Sequence, residues 1–263
     1  MKNMMKNFLL WKSKRINTNN QTDEMKRIIS NDSDFNTVET YKSIRTNIMF
    51  SMPKKDKGKV IAITSSSPGE GKTTTCINLA ITFAQTGAKV ILVDCDLRKS
   101  RIHRYLGIQR DDGVSNVVCN YTDIDKAIKK NVRENLDCMT AGEIPPNPAE
   151  ILDTEEFKTM LNKLTEKYDY IFIDTPPMTV VTDAAVIMKK DMGVVVVVRE
   201  NVTTFDLLDI TIDNIKKTET KLLGVIMLGS EEKKRKYGYY SNGKYGYRYN
   251  YNYHYGDKQN KEK

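Results

Sequence analysis

The stretch "KVIAITSSSPGEGKTTTCINLAITFAQTG", residues 59–87, constrains the fold more than any other part of the chain. An apolar, β-rich run leads into a glycine-rich loop. Lys72 and Thr73 then open an amphipathic segment at helical spacing that extends to about Gln85 and is ended by Gly87. Strand, loop and helix in that order are what a phosphate-binding loop requires. Its glycines let backbone amides wrap phosphate oxygens, and the helix N-terminus adds a partial positive charge. In such a loop Lys72 reaches the β- and γ-phosphates, and the Thr73 hydroxyl meets Mg²⁺. Ser67, Gly69, Glu70, Gly71 and Thr74 complete the candidate nucleotide-binding set. One position departs from the GxxxxGK(S/T) pattern, because Ser66 stands where its first glycine is expected.

The runs "KVILVDCD", "LDCMTAG", "YDYIFIDTPP", "MGVVVVVRE" and "KLLGVIML" read as further strands, separated by helical segments. Continuous apolar strands alternating with helices predict an α/β domain over residues 37–230: a P-loop NTPase-like, mostly parallel sheet with helices on both faces. Before the first strand, "TVETYKSIRTNIMFSM" has helical spacing and meets Pro53. Two strands end in acids, Asp94 with Asp96, and Asp174. Ligands of such sheets bind beyond the carboxyl ends of the strands, so the three carboxylates can converge on phosphate and metal. One carboxylate there can hold Mg²⁺ or its waters, and another can accept the proton of an incoming hydroxyl. For Asp96 the alternatives are to cap a helix or to pair with Arg98.

Charge gathers at the two ends. Residues 1–27 carry seven Lys/Arg against two acids and residues 231–263 carry nine against four, so the net +8 of the chain belongs to its termini. With no recognition motif beside that charge, nucleic acid is not an expected partner. No apolar run reaches the roughly 18 to 20 residues of a membrane-spanning helix, and Cys76, Cys95, Cys119 and Cys138 form no CxxC pair. Both point to a reducing, cytoplasmic setting. Residues 1–36 read as a flexible basic arm with one apolar piece, Phe8 to Trp11. Residues 231–263 hold Tyr237, Tyr239, Tyr240, Tyr245, Tyr247, Tyr249, Tyr251, Tyr253 and Tyr255, nine of the chain's 14 tyrosines, with almost no aliphatic residues, and predict a disordered tail.

With these residues in place, the chain resembles the bacterial tyrosine kinases of capsule and exopolysaccharide biosynthesis, of the Gram-positive type with a separate cytoplasmic kinase. The family's Walker A motif corresponds to Ser67–Thr74, its A′ motif to Val90–Arg98 and its Walker B motif to Ile171–Pro177, while "GEIPPNPAEIL" and "VTDAAVIMKK" look like further family stretches. The resemblance implies ATP- and Mg²⁺-dependent autophosphorylation of the tail tyrosines. Lys72 would bind phosphate, Asp94 would be the base, and Thr73, Asp96 and Asp174 would serve the metal. It also implies a ring-shaped homo-oligomer through Glu39, Lys42 and Arg45, where Lys42 replaces a family arginine. A membrane-anchored chain-length regulator as activator, recruitment to the inner face of the cell membrane and a cognate tyrosine phosphatase follow from it too. The basic arm is a candidate for membrane-side docking.

Two rival readings share the loop: a deviant P-loop ATPase switch of the partitioning or division-site kind, and a non-catalytic nucleotide-gated scaffold. The former usually carries a signature lysine where this chain has Ser67 and has no reason to end in nine clustered tyrosines, while intact Lys72, Asp94 and Asp174 argue against the latter. Phosphates on the tail, each adding about −1.5 to −2 charge, would reverse its positive charge. On the sequence alone, that change is expected to release the tail from acidic active sites and to dissociate the ring.

Overall fold

In the computed structural model, which describes residues 24–52 and 57–229, the six apolar runs and one polar edge strand pair into one seven-stranded sheet. Strand β1 (Lys59–Ser65) lies between β5 (Tyr170–Asp174) and β6 (Gly193–Arg199). Beyond β5 come β2 (Val90–Asp94), β4 (Leu136–Met139) and the edge strand β3 (Ile128–Arg133), and β7 (Lys221–Leu228) forms the other edge. Every pairing is parallel except that of β3 with β4. Sequence patterning does not show β3. Of "IKKNVR" only Ile128 is buried, and the register shifts between Lys129 and Arg133, where Asn131 takes φ 52°.

Successive strand residues face opposite sides of the sheet. Ile61, Ile63, Leu92 and Phe172 pack into one apolar cluster, and Val60, Ile91, Ile171 and Ile173 into another across the sheet. Helix α1 (Phe35–Ser51) and helix α2 (Lys72–Ala84) cover the first side, and helix α3 (Glu155–Lys167) covers the second. Helix α4 (Phe205–Lys217) adds Ile215 to a third cluster with Val194, Val196 and Val198.

The expected amphipathic helix after the loop is buried nearly all round, with eleven of its 13 residues inside. It has no solvent face because the sheet lies on one side and α1 with the preceding segment on the other, so its polar residues need partners within the protein. Phe83 meets the rings of Tyr170 and Phe172 edge-on, at 4.6 and 5.0 Å. Helix α1 begins earlier than its apolar spacing indicates, since the Asp34 carboxylate accepts from the Thr37 amide and caps it.

Packing also starts before the expected boundary at residue 37. Ile28 and Ile29 are buried, the Ile29 amide donates to Asn78 Oδ1 at 2.9 Å, and Asn78 Nδ2 donates to the Arg27 carbonyl at 3.1 Å. Asn78 on α2 thus holds a strap that carries Arg27. Replacing it by alanine leaves the buried Ile29 amide unpaired, and we expect a loss of about 1–3 kcal/mol in denaturant unfolding. Residues 1–23, Pro53 and the tyrosine tail lie outside the described residues. Among the described residues no helix is long and apolar enough to cross a membrane.

Candidate nucleotide and phosphoryl-transfer site

The sheet order sets β2, β5 and β1 side by side, so their carboxyl ends deliver Asp94, Asp174 and the glycine loop to one place. Asp94 pairs with Asp174 in register, and Asp174 with Ile63. The loop rises from Ser65 and turns into α2 at Gly71, which takes φ 94°, and a Cβ there would stand 2.5 Å from Leu228 Cδ1. Only glycine fits that position. Gly71 caps α2 with no side-chain acceptor, so the first amides of the helix have no capping group and are available to an anion.

Ser66, the departure from the loop pattern, has an ordinary backbone conformation, unlike Gly69 and Gly71. A side chain is therefore tolerated, and it is used: Ser66 is fully buried, with Thr211 Oγ1 of α4 2.9 Å from its hydroxyl. Glu70, also fully buried, accepts from the Ser67 amide at 2.8 Å and from the Thr203 hydroxyl. These contacts tie the loop to the segment that links β6 to α4. Sequence reading placed Ser67 and Glu70 at the site but had no signal for Thr203 or Thr211, single polar residues far along the chain. Replacing Glu70 by alanine should keep the fold and weaken Mg²⁺–ATP binding about tenfold by titration calorimetry, a loss of about 1.4 kcal/mol.

Lys72 Nζ donates to Asp96 Oδ2 at 2.8 Å and lies 3.4 Å from Asp174 Oδ1, while the Thr73 hydroxyl donates to Asp174 Oδ2 at 2.7 Å. Asp94 accepts from the Ser100 hydroxyl at 2.7 Å and from the Asp96 amide at 3.2 Å. All three carboxylates are buried. Burial alone would lower the Lys72 ammonium, but Asp174, Asp96 and Asp94 outweigh it and hold Lys72 protonated, above its ordinary value. Burial, then the charge of Asp174, pushes the Asp94 carboxyl up to about 7. Asp174 is raised as well, chiefly by burial, with Lys72 and Thr73 partly opposing.

Asp96 does not pair with Arg98. It takes Lys72 and the Lys99 amide, and Arg98 instead makes a two-pronged contact with buried Asp183, at 2.7 and 3.0 Å. Asp183 lies in "VTDAAV", a stretch noted in the sequence without a role.

A cleft of about 340 Å³ opens above these groups, lined among others by Gly69, Lys72, Thr73, Asp96 and Leu228. A larger hollow of about 720 Å³, beside Lys59, Thr86, Lys89 and Tyr170, lies at the amino ends of the strands and holds none of the loop or strand-end acids. The smaller cleft is where the chemistry can occur. Uncapped helix amides and a lysine suit phosphate, and the Thr73 hydroxyl and Asp carboxylates are hard oxygen donors. Among the described residues no three His, Cys, Asp or Glu form a ready metal cage. A magnesium ion shared with nucleotide phosphates requires only one or two protein oxygens.

Of the expected interface residues, Glu39 and Lys42 form an ion pair along the exposed face of α1, at 2.8 Å. Arg45 turns inward and donates to the Thr82 carbonyl near the end of α2 at 2.6 Å.

A family profile described as an AAA domain matches residues 58–225. Tyrosine-protein kinase YwqD of Bacillus subtilis (strain 168) is 37% identical over 203 residues, 77% of this chain and 85% of that protein. Among solved structures, the chimerical protein CapA2B2 superposes with a TM-score of 0.68 at 36% identity, over 72% of this chain and 83% of that one. The kinase domain of the Escherichia coli tyrosine kinase ETK superposes at 0.70 with 29% identity, over 78% and 80%. Taken with the loop and the strand-end acids, these matches establish that the chain belongs to the bacterial tyrosine-protein kinases.

Proposed function

We propose that this kinase transfers the γ-phosphoryl group of ATP to tyrosines of its own tail, residues 237–255, as part of the synthesis and export of a capsular or extracellular polysaccharide. The observation that carries the reading is the convergence of Lys72, Thr73, Asp96 and Asp174 with Asp94 at three neighbouring strand ends. In the transfer the tyrosine oxygen bonds to the γ-phosphorus, the bond from that phosphorus to the β-phosphate oxygen breaks, and ADP leaves. The phenolic proton passes to Asp94, whose raised pKa suits a group that must take up a proton near neutrality. Loop amides and Lys72 place the phosphates. Thr73, Asp96 and Asp174 would hold Mg²⁺, which when bound neutralises charge on the β- and γ-phosphates.

Glu39 and Lys42 on α1 would face a neighbouring copy in a ring, with Arg45 fixing α1 to the end of the loop helix. A membrane-anchored activator would bring the chain to the inner face of the membrane. Mass spectrometry of the chain after incubation with ATP and Mg²⁺ tests the central reading. Phosphate on tyrosines between 237 and 255 supports it, and phosphate confined to other residues contradicts it.

A further inference from the structure

Asp94 is fully buried at its strand end, and both of its oxygens are held. Oδ1 accepts from the Asp96 amide at 3.2 Å, and Oδ2 accepts from the Ser100 hydroxyl at 2.7 Å. The contacts continue past Ser100. His103 Nδ1 lies 3.4 Å from Ser100 Oγ, so carboxylate, hydroxyl and imidazole stand in a row.

The chemistry of the three groups fixes the direction of that row. An ionised carboxylate only accepts, and a serine hydroxyl has one proton to give. With that proton directed to Asp94, Ser100 Oγ can only accept from the ring, which places the His103 proton on Nδ1 and leaves Nε2 free. Burial, then the charges of Arg110 and Arg104, keeps the imidazole below its ordinary pKa, so the ring is neutral and carries this one proton.

The surrounding fold holds the ring in place. His103 sits on the short helix Ile102–Leu106, whose Ile102, Tyr105 and Leu106 are buried in the same apolar cluster as Leu79 and Phe83 of α2. Arg104 pairs with Glu24 of the strap at 3.1 Å, and Arg110 donates to the Gly142 carbonyl at 2.7 Å. The helix stops at Gly107, with φ 65°, where a Cβ would stand 2.7 Å from Met25 Cε.

We propose that Ser100 and His103 are positioning residues for the phosphoryl transfer: His103 aims the Ser100 hydroxyl, and Ser100 fixes the carboxylate of Asp94 in the orientation that receives the tyrosine proton. The inference rests on the reading of Asp94 as the base. Neither residue lines the nucleotide cleft, so their loss is felt in kcat and not in nucleotide affinity. A base whose orientation is already fixed needs no rearrangement at the moment of transfer.

The test measures phosphotyrosine formation by the full chain at saturating Mg²⁺–ATP, together with its dependence on ATP. Ser100→Ala should lower kcat about tenfold or more and leave the KM for ATP within about twofold of the parent, while Ser100→Thr, which keeps the hydroxyl, should hold the parent rate. Asparagine can present an amide N–H near the position of Nδ1, whereas the amide of glutamine reaches that of Nε2. His103→Ala and His103→Gln should therefore lower kcat about fivefold, the worth of one hydrogen bond, and His103→Asn should recover most of it. Adding Ser100→Ala to an Asp94→Asn chain should lower the rate no further. A Ser100→Ala chain with the parent kcat, equal rates for the asparagine and glutamine variants, or an undiminished Ser100→Ala loss in the Asp94→Asn chain overturns the proposal. An Asp94→Asn chain as fast as the parent overturns instead the reading of Asp94 as the base.

Discussion

Replacing Lys72 by methionine should reduce phosphotyrosine formation by about a thousandfold or more, through loss of the ammonium that joins the phosphate loop to Asp96 and Asp174. The variant should also report on the free protein. Lys72 is the ammonium partner of Asp96 and Asp174, both buried, and breaking a buried pair by removing one member costs about 3–5 kcal/mol. That penalty depends on the carboxylates being ionised. Thermal unfolding should therefore show a large loss at pH 8 that shrinks as the medium is acidified and Asp174, whose pKa is raised by burial, takes up its proton. An equal loss at pH 8 and in the acidified medium would mean that packing rather than charge is what Lys72 supplies.

Asp94→Asn should lower kcat by about 10²–10⁴, the usual contribution of a general base, with little change in Mg²⁺–ATP affinity. In the parent chain kcat/KM should rise as pH increases through about 7, where Asp94 loses its proton, and in the variant that limb should vanish. Stability should move the other way. The folded pKa of Asp94 lies above the unfolded value, so ionisation costs folding free energy: the contribution is fully favourable below about 4 and is lost as pH rises through about 7. Asparagine removes the cost and can still accept from the Asp96 amide, while its amide group can turn to the Ser100 hydroxyl. The variant should therefore melt higher than the parent at pH 8 and show no advantage at pH 4. A slower enzyme that is more stable is the expected trade at a strained charged site. A variant that is slower and also less stable at pH 8 would place Asp94 among structural groups.

The strand ends and the loop could be read directly from the sequence because each is local: an apolar run, then glycine or aspartate. The sheet, its parallel sense and the convergence of Asp94 and Asp174 followed from that pattern. The unread features depend on distant contacts. Strand β3 is a polar edge that hardly buries a residue, so it leaves no apolar signature. Asp183 takes Arg98 from Asp96 across 85 positions of sequence, and Thr203 and Thr211 meet the loop across more than a hundred. The strap 24–33 looked loose because its two isoleucines sit among polar residues, and only Asn78 on α2 shows why it stays down.

The most direct measurement is phosphoamino acid analysis of the full chain after incubation with labelled ATP, Mg²⁺ and the cytoplasmic segment of a membrane-anchored activator. The account predicts label on tyrosine, located in residues 237–255 and absent from the Lys72→Met chain. Label on no tyrosine, or equal labelling of the parent and the Lys72→Met chain, would contradict it.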